Sequence, residues 1–89
     1  MSFVGGIFIL ELLRIFCQNV YRVRKLMGET QEEFAFECNI SVRTLSRIEA
    51  FACRNVQLST IIKIAKHTGL SICDLFMCIE EDENVWLED

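Results

Sequence analysis

Apolar residues recur at intervals of three or four along the first third of the chain, which is the pattern of one face of a helix. The repeating positions are Ile9, Leu13, Phe16, Val20, Val23 and Met27. We expect residues 1–6 to be frayed or extended, with the break at Gly5 and Gly6 and helix 1 starting at Ile7. Gly28 is expected to end this helix as its C-terminal cap.

Helix 1 also has apolar residues away from that face, namely Leu10, Leu12 and Ile15. A helix that is apolar on more than one face must be buried on more than one face, so we expect a partner contact here, in the form of homodimerisation. The apolar run 3–17 is shorter than the ~20 residues of a membrane span. It includes Glu11 and Arg14, and no basic residue precedes it. We therefore interpret it as a packing segment and not as a membrane anchor or signal peptide.

Four shorter helices are predicted after Gly28. Thr30 and Glu33 have the spacing of a capping box, which marks the start of helix 2. Helix 2 is expected at Gln31–Cys38, helix 3 at Val42–Ala50 after the cap Ser41, helix 4 at Gln57–Thr68 before Gly69, and a short helix 5 after Ser71. The residues expected to face inward are Phe34, Ala35, Cys38, Leu45, Ile48, Leu58, Ile61, Ile62, Ala65, Ile72, Leu75 and Phe76.

The composition agrees with a single helical domain. The chain has 89 residues, 52% of them apolar, with four glycines and no proline. This length supports one modest core, and the scarcity of turn residues argues against a β fold with many turns. So short a chain has little room for a large internal pocket, so a binding module is favoured over an enzyme.

The charge is divided unevenly along the chain. The formal net charge is −4, but the acidic tail, residues 80–89, holds six acidic and no basic side chains. Residues 1–79 keep nine basic and seven acidic side chains, about +2, so the overall charge does not exclude nucleic acid as a partner. We expect the tail to be a solubilising extension. The alternative is that it competes for a basic surface or docks a partner through Val85, Trp86 and Leu87.

The segment 30–50 contains the feature most informative about function. Two short helices are joined by a tight turn at Asn39, a residue type that tolerates the left-handed conformation. Ile40 is expected to fill the gap between them, and Leu45 and Ile48 to fix the second helix on the core. The outward residues of that second helix include two arginines and no acid: Val42, Arg43, Thr44, Ser46 and Arg47. Such a face suits a helix that enters the major groove of DNA.

At this level of detail the sequence resembles the helix-turn-helix domain of the phage-repressor type, the group of Cro, lambda repressor and the XRE proteins. The resemblance covers residues 20–76, about two thirds of the chain. Its most specific segments are Thr30-Gln31-Glu32-Glu33-Phe34-Ala35, Ile40-Ser41 and Leu45-Ser46-Arg47-Ile48-Glu49. It implies an all-α fold: a five-helix lambda-repressor-like DNA-binding domain, here with an apolar N-terminal extension of helix 1 and an acidic C-terminal tail.

The resemblance also implies roles for individual residues. It implies that Gln31 contacts a phosphate and braces a base-contacting side chain, and that Arg24 and Glu49 form a partly buried ion pair. The remaining implied DNA contacts are base-facing residues of helix 3 (Ser41, Val42, Arg43, Thr44 and Arg47) and a loop that grips the backbone (Arg54 and Asn55). Thr30 joins this set because the N-terminus of a helix presents free N–H groups and a positive dipole end to a phosphate.

The chain departs from the family pattern after helix 3. The loop reads Ala50-Phe51-Ala52-Cys53, where basic and glycine-containing sequence is usual, and it is one residue longer. Asn39 replaces the turn glycine, and Val56 stands where proline usually precedes helix 4. The loop difference predicts weaker contacts with the DNA backbone.

Catalytic and metal chemistry find no support in the sequence. His67 is the only histidine, and we expect it on the surface near the end of helix 4. The five cysteines contain no C-x-x-C pair, and the chain has no glycine-rich phosphate loop. We expect no cofactor, no metal and no catalytic residues. The thiols are interpreted as reduced core residues in the cytoplasm. Cys53 is expected to be the most exposed, with a redox-sensing role as the alternative.

Two functional hypotheses follow. The first is a cytoplasmic, homodimeric regulator that binds operator sequences in double-stranded DNA, similar to phage repressors, restriction–modification controller proteins or antitoxins. The second is a protein-interaction module on the same fold, an antitoxin or antirepressor with weak or no DNA binding. Three features motivate the second hypothesis: the loop after helix 3 that lacks basic residues at its start, the apolar N-terminus and the acidic tail.

Overall fold

Five helices make up the computed structural model, which describes the backbone of residues 2–77 and the side chains of residues 9–77. They are α1 (Ser2–Met27), α2 (Gln31–Cys38), α3 (Val42–Glu49), α4 (Leu58–Thr68) and α5 (Ile72–Leu75). No strand occurs within this part of the chain, so the all-α prediction is confirmed. The acidic tail, residues 80–89, lies outside the described residues.

Helix α1 is longer than predicted. It begins at Ser2, and not at Ile7, and continues through Gly5 and Gly6. A glycine within a helix costs about 1 kcal/mol, but extending a helix that has already formed requires no new nucleation. A prediction from local helix propensity alone therefore places the start of α1 too late in the chain. Within the described part of the chain, no helix is both long and apolar enough to cross a membrane.

Side-chain caps begin the three helices for which polar caps were predicted. Thr30 and Glu33 form the predicted capping box: the Thr30 hydroxyl accepts from the Glu33 N–H at 3.1 Å, and the Glu33 carboxylate accepts from the Thr30 N–H at 2.9 Å. Ser41 caps α3 by accepting from the Thr44 N–H. Ser71 caps α5 in the same way. The caps at Thr30 and Ser41 fix the first residues of α2 and α3, and the second cap sets the length of the turn between these helices.

The same backbone motif ends α1, α2 and α3. A left-handed residue follows α1 and α2 directly, whereas Ala50 separates the left-handed residue from α3. In each case two N–H groups return to carbonyls of the last turn, which is the Schellman arrangement. Gly28 has a φ of 73°, Asn39 of 63° and Phe51 of 54°. The predictions for Gly28 and Asn39 are confirmed. The left-handed phenylalanine was not predicted, because bulky residues rarely adopt this conformation.

All five helices contribute to the core. Its fully buried members are Phe16, Val20, Phe34, Ala35, Leu45, Ile48, Ile64 and Leu75, with the thiol-bearing Cys17 and Cys38 beside them. The predicted inner faces of α2 and α3 are therefore confirmed. On α1 the prediction was wrong at both ends, because Ile9 is 65% and Met27 39% exposed.

On α4 the buried position is Ile64, which the sequence analysis missed. Leu58 and Ile62, predicted to face inward, are 64% and 40% exposed, whereas Ile61 and Ala65 pack on the edge of the core. The run Ile61–Ala65 is apolar at almost every position, so periodicity alone does not identify its inner face. A similar correction applies to α5, where Leu75 is buried but Ile72 is 40% exposed.

A buried asparagine attaches α5 to α1. The Asn19 side chain is 6% exposed, and its amide nitrogen donates to the carbonyls of Leu75 at 2.8 Å and Met77 at 3.0 Å. Carbonyls at the end of a helix have no partner within the helix, so Asn19 serves as a cap supplied from another element. This contact fixes the end of α5 on α1.

Candidate nucleic-acid interface

Helices α2 and α3 pack closely around the turn at Asn39. Ala35 is completely buried between them, and Ile40 packs against the core as predicted. The Lys63 ammonium of α4 donates to the Asn39 carbonyl at 3.3 Å. The turn is thus held from two sides, and the orientation of α3 relative to α2 is fixed by packing.

Two arginines project from the outer side of α3. Arg43 and Arg47 are exposed, whereas Leu45 and Ile48 on the opposite side are at most 1% exposed. Among the described residues, no ion pair or hydrogen bond engages either guanidinium. Each therefore keeps its five N–H donors for an external partner.

The beginning of α3 adds smaller groups to this face. Val42 is 38% exposed, and its side chain offers only apolar contact. The Ser41 hydroxyl donates to the Thr44 hydroxyl at 2.8 Å while it caps the helix. Both hydroxyls are thereby held in one orientation at the N-terminal edge of the exposed face.

The predicted ion pair between α1 and α3 is present and tightly arranged. Arg24 Nε lies 2.6 Å from one Glu49 oxygen, and Arg24 Nη2 lies 2.9 Å from the other. A third donor of Arg24 reaches the Glu29 carbonyl at 2.8 Å. The hydrogen bond to Glu49 is the main cause that raises the pKa of Arg24, and burial opposes it. This pair fixes the C-terminal end of α3 on α1.

Gln31 belongs to this network. Its amide nitrogen donates to Glu49 at 2.9 Å, so its side chain is held against the end of α3. The sequence analysis expected it to contact a phosphate and to brace a base-contacting side chain. In this structure it braces the acidic end of α3, and it leaves the N-terminus of α2, with the exposed Thr30, facing outward.

A groove separates α3 from the loop 50–57. The groove has a volume of about 620 Å³, and Thr44, Arg47, Arg54 and Asn55 are among its lining residues. The residues lining it include no aspartate or glutamate. The predicted loop residues Arg54 and Asn55 thus lie beside Thr44 and Arg47 of α3, around the same groove. Arg47 supplies a positive charge on one side of it and Arg54 on the other.

The exposure of Cys53 in this loop differs from the prediction. Cys53 is half-buried and packs against the core, whereas Cys73 is exposed. Phe51 is 44% exposed and is the second residue after α3. The prediction that Cys53 is the most exposed thiol was therefore wrong, because the Schellman turn at Phe51 directs the following residues back toward α1.

His67 is also not the surface residue that the sequence analysis expected. Its Nε2 lies 2.9 Å from a Glu29 carboxylate oxygen, and its ring meets the buried Phe34 edge-on at 5.1 Å. Glu29 is the residue whose carbonyl binds Arg24. One histidine from α4 therefore supports the junction between α1 and α2. Within the described residues, no group of three metal-binding side chains occurs.

Comparison with known proteins gives one match. A family model described as helix-turn-helix matches residues 20–75, nearly two thirds of the chain. No curated protein and no solved structure matches the chain. The matched span starts within α1 and ends with α5, so it contains the whole α2-turn-α3 unit and leaves out residues 1–19.

Proposed function

Because the chain belongs to the helix-turn-helix family of DNA-binding regulators, of the phage-repressor type, we propose that it binds specific operator sequences in double-stranded DNA as a homodimer. The observation that supports this most directly is the exposed face of α3. Arg43 and Arg47 project outward from a helix whose other side is fixed in the core by Leu45 and Ile48. That arrangement suits a rigid helix inserted into a major groove.

The side chains of α3 supply the chemistry of base recognition. A guanidinium can donate two hydrogen bonds to O6 and N7 of guanine, and each such pair contributes about 1–3 kcal/mol of discrimination. Val42 offers an apolar contact for a thymine methyl group. Ser41 and Thr44, which hold each other in place, supply hydroxyls at the edge of the groove.

Contacts with the DNA backbone are expected from the loop after α3 and from the N-terminus of α2. Arg54 and Asn55 line the groove beside Arg47, which supports a role for both in binding phosphate oxygens. Thr30 and Gln31 present the N-terminus of α2, where the helix dipole favours a phosphate. Glu32 and Glu33 lie in the same turn. We therefore expect the arginines to contribute more of the electrostatic attraction than α2 does.

Homodimerisation has its support in the first part of α1. Ile9 and Leu10 are 65% and 60% exposed, and both lie in the segment before the family match. A second copy that covers these residues would remove apolar surface from water. Two recognition helices about 34 Å apart would then enter successive major grooves of a near-palindromic site. We propose a cytoplasmic regulator of this kind, without enzymatic activity, in the class of phage repressors, controller proteins or antitoxins.

Fluorescence anisotropy with labelled duplex DNA tests the proposal. We expect binding at low salt that weakens steeply as salt rises, because each phosphate contact releases counterions. Arg47→Ala should weaken binding, whereas Lys66→Ala, which removes the same charge from an exposed position on α4, should change it little. Equal effects of the two substitutions would contradict the assignment of α3 as the binding face.

A protein-interaction module remains a second candidate, and one observation favours it. Phe36 on α2 is 81% exposed, so its ring could be covered by a protein partner, which would remove apolar surface from water. An antitoxin or antirepressor could use such a residue to anchor a protein partner. Absence of any gel shift with micromolar protein at low salt, together with a protein that co-purifies, would favour this function over DNA binding.

A further inference from the structure

Two thiols from distant parts of the chain are in contact beneath the candidate interface. The Sγ atoms of Cys17 and Cys53 are 4.0 Å apart, although 36 positions separate the residues in sequence. Cys17 lies in α1, and Cys53 lies in the loop after α3, directly before Arg54. A disulfide has a sulfur–sulfur length of about 2.05 Å, so closing this pair requires a movement of about 2 Å.

The two thiols differ in their access to solvent. Cys17 is 2% exposed and packs in the core beside Phe16 and Val20. Cys53 is half-buried and lines the groove together with Arg47 and Arg54. Burial, with a smaller effect from Cys53, raises the pKa of Cys17 to about 12. A small oxidant in solvent therefore reaches Cys53 first, and Cys17 lies behind it as the second thiol.

We propose that Cys17 and Cys53 are a redox-sensitive pair that a hydroperoxide converts into a disulfide, and that this bond weakens DNA binding. The second part rests on the DNA-binding function proposed above. The first part depends only on the contact between the two sulfur atoms.

The reaction has two steps. The sulfur of Cys53 attacks the hydroperoxide, the O–O bond breaks, and the products are a sulfenic acid on Cys53 and an alcohol, or water if the oxidant is hydrogen peroxide. The sulfur of Cys17 then attacks the sulfenic sulfur. The new S–S bond forms as the S–O bond breaks, and the hydroxyl leaves as water with the proton of Cys17. Two thiols are oxidised, and one peroxide is reduced.

The disulfide would act on the loop that contains the backbone contacts. Cys17 belongs to the core, so the new bond draws Cys53 inward, away from the groove that it lines with Arg54 and Asn55. The adjacent guanidinium moves with the backbone. We therefore expect each subunit to lose about one phosphate contact, which makes the salt dependence of binding shallower by about one unit per subunit.

Mass spectrometry and anisotropy on the full chain test both parts. After treatment with hydrogen peroxide, we expect a loss of about 2 Da per chain, for the two hydrogens removed, and a linked peptide pair that contains Cys17 and Cys53. The melting temperature should rise by roughly 10 °C, because the bond closes a long loop. DNA affinity should fall by about threefold to tenfold and recover with dithiothreitol.

Substitutions at single cysteines provide the controls. Cys53→Ser should prevent the loss of mass and the rise in melting temperature, and so should Cys17→Ala. Cys73→Ser removes an exposed thiol of α5 and should leave both effects intact. Sulfinic or sulfonic acid on Cys53 without the linked peptide would overturn the proposed pair. A linked pair with unchanged DNA affinity would overturn its effect on binding. Failure of the reduced protein to bind any DNA would count against the proposed function instead, because the linked peptide is measured without DNA.

Discussion

Arg24 and Glu49 form an ion pair through two hydrogen bonds, 2.6 and 2.9 Å long, which fastens the end of α3 to α1. Their side chains are 10% and 6% exposed, and Gln31 donates a further hydrogen bond to the same carboxylate. Because these partners come from three helices, the pair fixes the position of the proposed recognition helix at its C-terminal end.

Removing one partner of this pair should be strongly destabilising. Glu49→Ala leaves Arg24 buried with an uncompensated charge, for which the expected loss in the free energy of unfolding is about 3–5 kcal/mol. Urea denaturation of Glu49→Ala, Arg24→Ala and the double variant measures the coupling. A coupling energy under about 0.5 kcal/mol would place the pair with ordinary surface ion pairs and contradict this role.

The left-handed residue of the turn after α3 predicts a difference between two truncations. Phe51 has a φ of 54° where a glycine would adopt the same backbone without steric cost. The residue is 44% exposed, so Phe51→Gly and Phe51→Ala both lose the contacts of the covered part of the ring. The free energy of unfolding of Phe51→Gly should therefore be about 1 kcal/mol higher than that of Phe51→Ala. Gly28→Ala, at the equivalent place after α1, is the matched control and should be less stable than the wild type by a similar amount.

The inner face of α4 can be tested by paired truncations. Ile64 is completely buried, and Ile62 is 40% exposed. Ile64→Ala should cost about 2–5 kcal/mol of stability because it leaves a cavity, whereas Ile62→Ala should cost well under half of that. Thermal unfolding followed by circular dichroism separates the two. If Ile62→Ala proved the more damaging variant, α4 would pack through the face that the sequence pattern predicted.

Two buried thiols predict a loss of stability at alkaline pH. Burial raises the pKa of both Cys17 and Cys38 to about 12, above the usual value of 9.0. The unfolded chain therefore loses these protons at a lower pH than the folded chain. The contribution of these thiols to the free energy of unfolding is complete below pH 9. It decreases between pH 9 and 12, by up to about 1.4 kcal/mol per pH unit for each thiol.

Cys38→Ala separates this effect from other groups that titrate at high pH. Its free energy of unfolding should fall less steeply than that of the wild type between pH 9 and 10.5, when both are measured in urea with a reductant present. Parallel curves for the two proteins would show that the Cys38 thiol does not contribute.

Much of the fold follows from local sequence signals. The capping box at Thr30, the left-handed turn at Asn39 and the glycine after α1 each have a local stereochemical cause, and all three are confirmed. The inner face of α3 could be predicted as well, because Leu45 and Ile48 recur at a spacing of three between polar neighbours. The inner face of α4 could not, since nearly every position from Ile61 to Ala65 is apolar and only packing selects Ile64.

The candidate interface likewise combines features that the sequence predicts with features that only tertiary packing determines. The exposed arginines of α3 could be predicted from the helical period, and the Arg24–Glu49 pair from the family resemblance. The hydrogen bond from Gln31 to Glu49, the pairing of His67 with Glu29 and the contact between Cys17 and Cys53 join residues that lie 18 to 38 positions apart. Contacts of this kind arise from tertiary packing, and no short sequence pattern encodes them.

Selection of bound sequences from a random pool of duplex DNA tests the central claim most directly. The account predicts enrichment of a near-palindrome whose half-sites are centred about 10 base pairs apart. It also predicts that Arg43→Ala and Arg47→Ala each lose preference at particular base pairs, whereas Lys66→Ala keeps the wild-type site. Enrichment of the same site by the Arg43→Ala/Arg47→Ala double variant, or of no site by the wild-type protein, would contradict the claim that α3 reads DNA.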